Sequence, residues 1–319
     1  MKNRNFLSLA GFISLFLISM SCQDLVDEVV GKKPEDTRNI NITMIAKSSS
    51  NPVFQSARVG AEDAAKDLSE KHSSLEVTIN WRTPLEEDPQ GQVERIRNAV
   101  EDGTDAILVS CSDAEILTPV INSVVDSGVP VMTFDSDAPE SKRFAFYGPN
   151  DVEIGERVMS ELAALLNNQG QVAILGGSQN APNLRKRVEG VQEKAREYPG
   201  IDIVGVFYHV ETAEAAAAEL IKVNDEYPNL KGWAMVGGWP FFTDDLLDKL
   251  DPQAQKIVAV DALPMQLPYL EKGIVDVLLG QPTFKWGRVS VETIIGKIYL
   301  EKEVPVINQM KLIPVSRAN

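Results

Sequence analysis

The sequence predicts an α/β protein made of two doubly wound parallel-sheet lobes, with a ligand cleft between them. Apolar runs rich in Val, Ile and Leu alternate with helical patterns from residue 39 almost to the end of the chain. This alternation is typical of parallel sheets that carry helices on both faces. A single sheet would need about ten or more strands, so two sheets are expected. The length of 319 residues also favours two domains.

The first half contains four strand-like runs separated by helices. INITMIA precedes a helix whose apolar residues recur every three or four positions, from Phe54 to Leu68. LEVTINW precedes a helix that ends before Gly103, and DAILVS precedes a helix that ends before Gly128. VPVMTF is the fourth strand. These units predict the first lobe.

The second half repeats the same alternation and predicts the second lobe. Its strands are QVAILGG, IDIVGVFY, GWAMVGG, KIVAVDA and VDVLLGQ. The predicted helices cover residues 151–167, 184–197 and 212–226, a segment after Pro240, a short segment that ends near Gly273, and residues 285–300.

Residues 1–21 predict a signal peptide. Lys2 and Arg4 precede an apolar stretch, and small residues follow before Cys22. The ending ISMSC resembles the lipobox of bacterial lipoproteins, whose cysteine is acylated, although Ser19 stands where leucine is usual. Ordinary cleavage that leaves Cys22 as a free thiol is the alternative. Residues 22–38 are polar and predict a tether, so we expect an exported periplasmic or cell-surface protein with a lipid anchor.

Composition argues against several other classes of protein. The chain has 31 Lys and Arg against 46 Asp and Glu, a net charge of −15, which disfavours a nucleic-acid partner or an anionic lipid surface.

His72 and His209 have no carboxylate or cysteine at ligand spacing, so no metal is expected. The glycine-rich GGSQNAP lacks the Lys-Ser/Thr ending of a phosphate-binding loop. We therefore expect no cofactor.

Residues just after the predicted strands are the candidates for binding, because ligands of doubly wound sheets bind beyond the carboxyl ends of the strands. These ends are rich in multivalent hydrogen-bonding groups and flat rings. Such groups satisfy vicinal hydroxyls in pairs and cover the C–H face of a sugar or polyol. The residues are Asn51, Asp135, Asp137, Asn183, Arg187, Asp261, Gln281, Phe54, Trp81 and Trp239. All of them except Asn183 are predicted ligand contacts.

Two motifs of the first half, SSSNPVFQSARVGAEDAAKDL and DGTDAILVSCSD with GVPVMTFDSD, resemble a known family. It comprises the type 1 periplasmic sugar-binding proteins related to ribose-binding protein, whose fold is shared by the effector domains of LacI-type repressors. The resemblance runs from about residue 41 to residue 315. It implies that Asn51, Phe54 and Asp135 contact a sugar. Val53 replaces a second aromatic, and Ser136 stands where the family often has arginine.

Three motifs of the second half carry the same resemblance. NLRKRVEGV is similar to the family's helix start and implies a sugar contact from Arg187, while VAVDALP and LLGQPTFKWG imply contacts from Asp261 and Gln281. GGWP departs from the pattern, and we expect Trp239 to serve as a stacking platform in place of a polar residue. Trp81 is predicted from its strand-end position alone.

Several residues near these motifs have a structural interpretation as well. Asp135 and Asp137 either contact ligand or cap their own loop. Arg187 could instead be a surface residue of a basic turn, and Trp81 and Trp239 could belong to the core. Phe284 and Trp286 are assigned to core or hinge packing.

The resemblance also implies a domain organisation and a partner. The chain would cross between lobes near residues 148–150, 281–283 and 304–307. The N-terminal lobe would comprise residues 39–148 and 283–305, and the C-terminal lobe residues 149–282 and 306–319. A monomeric solute-binding protein of this kind closes by a hinge motion on one monosaccharide or cyclic polyol and delivers it to the permease of an ABC transporter.

Three functions other than transport share parts of this pattern. A LacI-type regulator would share the body, but a signal peptide stands where a DNA-binding helix-turn-helix should be. A receptor that passes a sugar or sugar-like signal to a membrane sensor would use the same cleft and stays open. A carbohydrate-active enzyme needs paired carboxylates, but here the acids are interleaved with arginine, amides and aromatics that suit neutral hydroxyls, so no catalytic residue is predicted.

Overall fold

The computed structural model of the protein describes residues 36–243, 247 and 254–318. The predicted signal peptide, Cys22 and most of the predicted tether lie outside the described residues, as does most of the helix predicted after Pro240. Among the residues that are described, no helix is both long and apolar enough to cross a bilayer.

The N-terminal lobe contains one six-stranded sheet in which every neighbouring pair of strands is parallel. In chain order its elements are β1 (Arg38–Ile45), α1 (Pro52–Lys71), β2 (Leu75–Trp81), α2 (Pro89–Glu101), β3 (Ala106–Val109), α3 (Ala114–Asp126), β4 (Val131–Phe134), β5 (Ala145–Gly148), α8 (Thr283–Ile298) and β11 (Ile307–Gln309). The strand order is β11–β5–β4–β3–β1–β2. Helices α1 and α8 cover one face, and α2 and α3 cover the other.

The C-terminal lobe repeats this arrangement with a second six-stranded sheet. In chain order its elements are α4 (Asp151–Leu165), β6 (Gln169–Gly176), α5 (Pro182–Ala195), β7 (Gly200–Tyr208), α6 (Ala213–Glu226), β8 (Leu230–Met235), a 3₁₀ turn (Trp239–Phe241), β9 (Lys256–Val260), α7 (Leu267–Lys272), β10 (Val277–Gly280) and β12 (Ile313–Ser316). The strand order is β12–β10–β9–β8–β6–β7. All neighbouring strands are parallel except β12, which runs antiparallel to β10. Helices α4 and α5 cover one face, and α6 and α7 cover the other.

The chain passes between the two sheets after β5, after β10 and after β11. The third passage lies between Gln309 and Ile313, later than the predicted position at residues 304–307. The reason is that β11 pairs with β5, and the amide of Phe146 also donates to the carbonyl of Val306 at 2.8 Å. Residues 306–309 therefore belong to the N-terminal lobe. A three-residue edge strand with an exposed Ile307 has too little periodicity to be recognised in the sequence.

Glycines allow two pairs of helices to pack in close contact. A Cβ on Gly287 of α8 would overlap the carbonyl oxygen of Ala57 on α1, and a Cβ on Gly60 of α1 would overlap the carbonyl of Phe284. In the other lobe a Cβ on Gly155 of α4 would overlap the carbonyl of Arg187 on α5. Each lobe thus brings one pair of its covering helices to backbone contact.

We expect Gly287→Ala to lower the free energy of unfolding by about 1 to 3 kcal/mol or more, because the added methyl group overpacks the helix contact. Gly296→Ala, on the same helix, is the matched control, since a Cβ there meets no other atom within 4 Å. That variant should be stabilised by about 0.5 to 1 kcal/mol through helix propensity. Urea unfolding of both variants measures the difference, and equal stability would contradict the close contact.

Candidate functional site

Two aspartates occupy corresponding places in the two lobes. Asp135 follows β4 and Asp261 follows β9, each the fourth strand from the corresponding edge of its sheet. Both have left-handed backbones, with φ of 56° and 74°, a conformation that Asp adopts more readily than most residues. Their amides donate to the carbonyls of Tyr147 and Leu279 on the next strand, at 3.1 and 2.9 Å. The turn ends each strand and places both carboxylates at the space between the lobes.

The space between the lobes is a narrow cavity lined by residues of both. Its volume is about 30 Å³, far below the roughly 300 to 1,000 Å³ of a typical ligand pocket. In this arrangement of the lobes the cavity is therefore too small for a ligand of ordinary size. Seven of the nine predicted ligand contacts line the cavity: Asn51, Phe54, Asp135, Arg187, Trp239, Asp261 and Gln281.

Asn51 and Phe54 reach the cavity from the start of α1. The side chain of Asn51 caps the helix by accepting from the amide of Val53 at 3.1 Å. Phe54 lies one turn later and is buried against Phe134 and Trp286, with ring centroids 6.4 and 6.2 Å away. These contacts hold one polar group and one flat ring at the same corner of the cleft.

Asp135 is almost fully buried in the N-terminal half of the cleft. Its carboxylate accepts from the hydroxyl of Ser110 at 2.8 Å. Burial raises the pKa of Asp135, while the positive charges of Lys47 and Arg187 and the Ser110 hydrogen bond oppose the rise. The carboxylate is therefore an acceptor with unused capacity, held near two cations rather than in direct contact with them.

Lys47 links the two lobes through buried charges. Its ammonium lies 2.6 Å from Glu87 of its own lobe and 3.4 Å from Glu211 of the C-terminal lobe. Glu211 is itself oriented by the amide of Ser178, which donates to it at 3.1 Å. Burial alone would lower the pKa of Lys47, but Glu211 and Glu87 raise it above its ordinary value. The lysine stays charged and contacts both sides of the cleft.

Arg187 organises the C-terminal half of the cleft from the second turn of α5. Its guanidinium donates to the carboxylate of Asp151 at 2.8 Å, to the carbonyl of Val236 at 3.1 Å and to the side-chain oxygen of Gln281 at 3.3 Å. Gln281 in turn donates to Asp261 at 2.7 Å. Arg187 therefore holds the groups beside it in fixed positions while lining the cavity.

Asp151 is a buried partner of Arg187 that does not line the cavity. Burial raises the pKa of Asp151 to about 6, although Arg187 favours its ionised form. Burial alone would lower the pKa of Arg187, but Asp151, Asp135 and Asp261 raise it. Removing the arginine would leave Asp151 buried without its cation, a change that costs about 3 to 5 kcal/mol in comparable pairs. Arg187 thus supports the lobe as well as the cleft.

Two parallel-sheet lobes with a polar cleft between them match known proteins. A family model described as a periplasmic binding protein domain matches residues 42–299. The chain belongs to this family.

Individual relatives are similar to this periplasmic binding protein over part of its length. The D-ribose/D-allose-binding protein of Pseudomonas aeruginosa is 26% identical over 64% of this chain and 63% of its own. The ribose import binding protein RbsB of Bacillus subtilis is 27% identical over 50% of this chain and 48% of its own. The matches therefore span about half to two thirds of these relatives.

A solved structure supports the same fold over nearly the whole chain. An ABC transporter solute-binding protein from Burkholderia graminis, crystallised in complex with D-arabinose, superposes with a TM-score of 0.82. The superposition covers 90% of this chain and 98% of that one at 24% identity.

Asp137 and Trp81, two of the predicted ligand contacts, lie outside the lining of the cavity in this periplasmic binding protein. The carboxylate of Asp137 accepts from Arg143, with the Nη2 atom at 2.6 Å, and from the hydroxyl of Thr133 at 2.6 Å. The ring of Trp81 packs beneath the guanidinium of Arg58, 5.5 Å from its centroid. Position at a strand end could not separate them from Asp135, because adjacent residues of a turn point in different directions.

Several lining residues are absent from the predicted ligand contacts. Lys47 and Glu211 lie two and three residues beyond the ends of β1 and β7, so the strand-end rule could have found them. The sequence assigns Trp286 to packing. Its indole N–H does donate to the sulfur of Met310 at 3.0 Å, but Trp286 also lines the cavity. The additional residues are Lys47, Val53, Asn183, Leu184, Glu211, Gly237, Phe242 and Trp286.

Across residues 36–243, 247 and 254–318, no three side chains of the His, Cys, Asp and Glu types come together as a metal site.

We expect Asp261→Asn to stabilise the ligand-free protein at pH 7.5. Burial raises the pKa of Asp261 to about 6, against the opposing effects of Arg187 and Gln281. The folded state therefore binds more protons than the unfolded state between about pH 4 and 6, and stability falls as pH rises through that window. Each pKa unit corresponds to about 1.4 kcal/mol. Asparagine also tolerates the left-handed backbone.

The measurement is the melting temperature of ligand-free protein from pH 4.5 to 7.5. The gain from Asp261→Asn should be largest at pH 7.5 and vanish near pH 4.5. Asp225→Asn, on the exposed surface of α6, should change nothing at either pH. A variant that melts below wild type at pH 7.5 would instead show that ionised Asp261 stabilises the folded protein.

Proposed function

We propose that this chain is the substrate-binding protein of an ABC-type importer and that it holds one monosaccharide or cyclic polyol between its lobes. One observation carries the proposal. Carboxylates from both lobes, Asp135 and Asp261, meet the guanidinium of Arg187 and the rings of Phe54 and Trp239 at a single buried cavity. Acceptors, donors and apolar faces together suit a ring that carries many hydroxyl groups.

The charges of the residues that line the cavity restrict the class of ligand further. Three acids, Asp135, Glu211 and Asp261, and two cations, Lys47 and Arg187, line the cavity. The cations already have carboxylate partners. An anionic ligand such as a uronate or a sugar phosphate would add a negative charge to this surplus and would be disfavoured. A neutral ligand that donates several hydrogen bonds fits best.

The named relatives support the same ligand class. Two are named for ribose, one of them also for D-allose, and the superposed structure holds D-arabinose. All three sugars are neutral. The sequence matches cover only part of the named relatives, so the choice among these sugars rests on experiment rather than on similarity.

Closure of the two lobes over the cleft would be stabilised by contacts that form only when the lobes meet. Lys47 reaches Glu211 across the cleft, and both lobes line the cavity. A ligand that touches both lobes stabilises the closed state by the difference between its contacts there and in the open state. We expect the closed form to bind the permease and release the ligand for transport, without chemical turnover. A receptor role would use the same cleft, and no described contact favours it.

We also propose that the protein is exported and anchored by an acylated Cys22, since ISMSC and the polar residues 22–38 precede the folded body. Cys22→Ser should move the protein from the membrane fraction to the soluble fraction, because stable attachment needs two acyl chains and none would be added. Fractionation of cells that express each form measures this. A wild-type protein that is already soluble, with an unmodified N-terminus, would exclude the anchor.

The test of ligand class combines a sugar panel with a pair of aspartate variants. Wild type is screened by thermal shift against D-ribose, D-allose, D-arabinose, xylitol, D-glucuronate and an amino-acid mixture. A ligand at about 100 times its dissociation constant adds roughly 2.7 kcal/mol to the free energy of unfolding. Stabilisation by a neutral sugar or polyol is expected, whereas a response to amino acids or glucuronate alone would refute the proposal.

For the sugar that binds, Asp135→Asn should weaken affinity at least tenfold in calorimetric titration. Hydrogen bonds to a charged group contribute about 1.5 to 3 kcal/mol, and about 1.4 kcal/mol is one decade. Asparagine can still accept from Ser110, so the fold should survive.

Asp137→Asn is the matched control, because it disturbs the Arg143 ion pair outside the cavity. It should lower the free energy of unfolding by at least about 1 kcal/mol and leave affinity within twofold. If affinity for the sugar is lost only in Asp137→Asn, the ligand site lies at Asp137 and not at Asp135.

A further inference from the structure

Two residues that line the cavity each carry a buried polar atom with no hydrogen-bond partner among the described residues. These atoms are the indole Nε1 of Trp239 and the side-chain oxygen of Asn183. The two residues are 5% and 4% exposed. Buried polar atoms are almost always paired in folded proteins. Two such exceptions among the residues that line one cavity point to a partner that enters through the cavity.

The indole ring of Trp239 is rigidly held. A Cβ on Gly237 would overlap its six-membered ring, and a Cβ on Gly177 would lie 2.8 Å from Cη2. The six-membered ring therefore rests on two glycine backbones. His209 packs edge-on against the indole, with centroids 4.9 Å apart. With these contacts the ring cannot turn its N–H towards another protein acceptor without losing its packing.

Asn183 is held at the start of α5. It follows Pro182 and lies four residues before Arg187, which places both side chains on the same face of the helix. Arg187 is fixed by Asp151 and by the carbonyl of Val236. The amide of Asn183 is thus presented from an anchored turn on the same lobe as Trp239.

We propose that Trp239 Nε1 and Asn183 Oδ1 form a donor–acceptor pair that binds ligand hydroxyl groups from the C-terminal lobe. The proposal rests on the proposed function and specifies it. An indole N–H only donates and an amide oxygen only accepts, whereas a hydroxyl group does both. The pair therefore selects a ligand with a hydroxyl, rather than a methyl or deoxy carbon, beside these two atoms. Trp239 acts here as a hydrogen-bond donor in addition to any stacking of its ring.

The experiment is calorimetric titration of Trp239→Phe and Asn183→Leu with D-ribose, D-allose and D-arabinose. Phenylalanine retains an aromatic ring and removes the N–H, and leucine retains the approximate size of asparagine and removes the acceptor. Each variant should bind the sugars that wild type binds about tenfold more weakly, which corresponds to about 1.4 kcal/mol. The ligand-free melting temperature of Asn183→Leu should equal or exceed that of wild type, because a buried unpaired group is removed. Trp239→Phe should melt lower than wild type, because the smaller ring also loses packing.

Two controls separate this role from general packing. Trp233→Phe removes an indole N–H that bonds to Asn224 at 3.0 Å in the core of the same lobe, so it should lower the melting temperature and leave affinity within twofold. His209→Phe keeps an edge contact to Trp239 and removes the unpaired Nε2 atom of His209. The affinity of His209→Phe for the sugars should also stay within twofold of wild type. Loss of affinity in His209→Phe equal to that in Trp239→Phe would assign the effect to the histidine and overturn the proposal.

Monodeoxy forms of the tightest-binding sugar identify the paired hydroxyl. For one of them, wild type and Trp239→Phe should bind equally, since the partner of the N–H is already missing. The inference is overturned if both variants bind every sugar within twofold of wild type. If wild type binds none of the sugars, the proposed function fails and this inference fails with it.

Discussion

The buried guanidinium of Arg187 is the interaction on which the C-terminal half of the cleft depends. A fully buried cation is costly unless its donors are paired, and this one has Asp151, the carbonyl of Val236 and Gln281 as partners. Those partners belong to α4, to the end of β8 and to the passage after β10. One side chain therefore joins three segments, and through Gln281 it also orients Asp261. The arginine cannot be assigned to binding or to structure alone.

The two lobes share two structural features. Each ends its fourth strand with a left-handed aspartate, and each packs one pair of helices through glycines that leave no room for a Cβ. The lobes differ in charge. In the N-terminal half Lys47 pairs with Glu87 of its own lobe and also contacts Glu211 of the C-terminal lobe. In the C-terminal half Arg187 pairs with Asp151 of its own lobe.

The buried carboxylates of the cleft would link the stability of the folded protein to closure of the lobes. Burial raises the pKa values of Asp135 and Asp261, the two aspartates that line the cavity, which means that their ionised forms are held there at a cost. Hydroxyl donors from a ligand would relieve that cost, as water would in the open state that we propose. Under the proposed closure, the same acids would therefore favour a closed cleft that holds a polyhydroxylated ligand over a closed cleft without one.

The sequence by itself determined the α/β class, the two lobes and most of the cleft. Strand runs and helical periods are local patterns, and in a parallel sheet the carboxyl ends of the strands face the same edge, so Arg187, Asp261 and Gln281 could be placed together from the sequence alone. Only the family resemblance placed Asp135 of the other lobe opposite them. The family resemblance then selected the predicted ligand contacts among the strand-end groups. Asp137 has the same strand-end position as Asp135, and the sequence could not decide which of these two aspartates faces the cleft.

Only the tertiary structure decided which neighbour each side chain meets. Arg143 pairs with Asp137 and withdraws it from the cleft, while Glu211 reaches Lys47 from 164 residues away. The third passage between lobes depends on the pairing of β11 with β5, a contact between segments far apart in the chain. The unpaired atoms of Trp239 and Asn183 are likewise invisible in the sequence. Each of these features arises from distances and orientations between remote segments, which a local pattern of residue types does not encode.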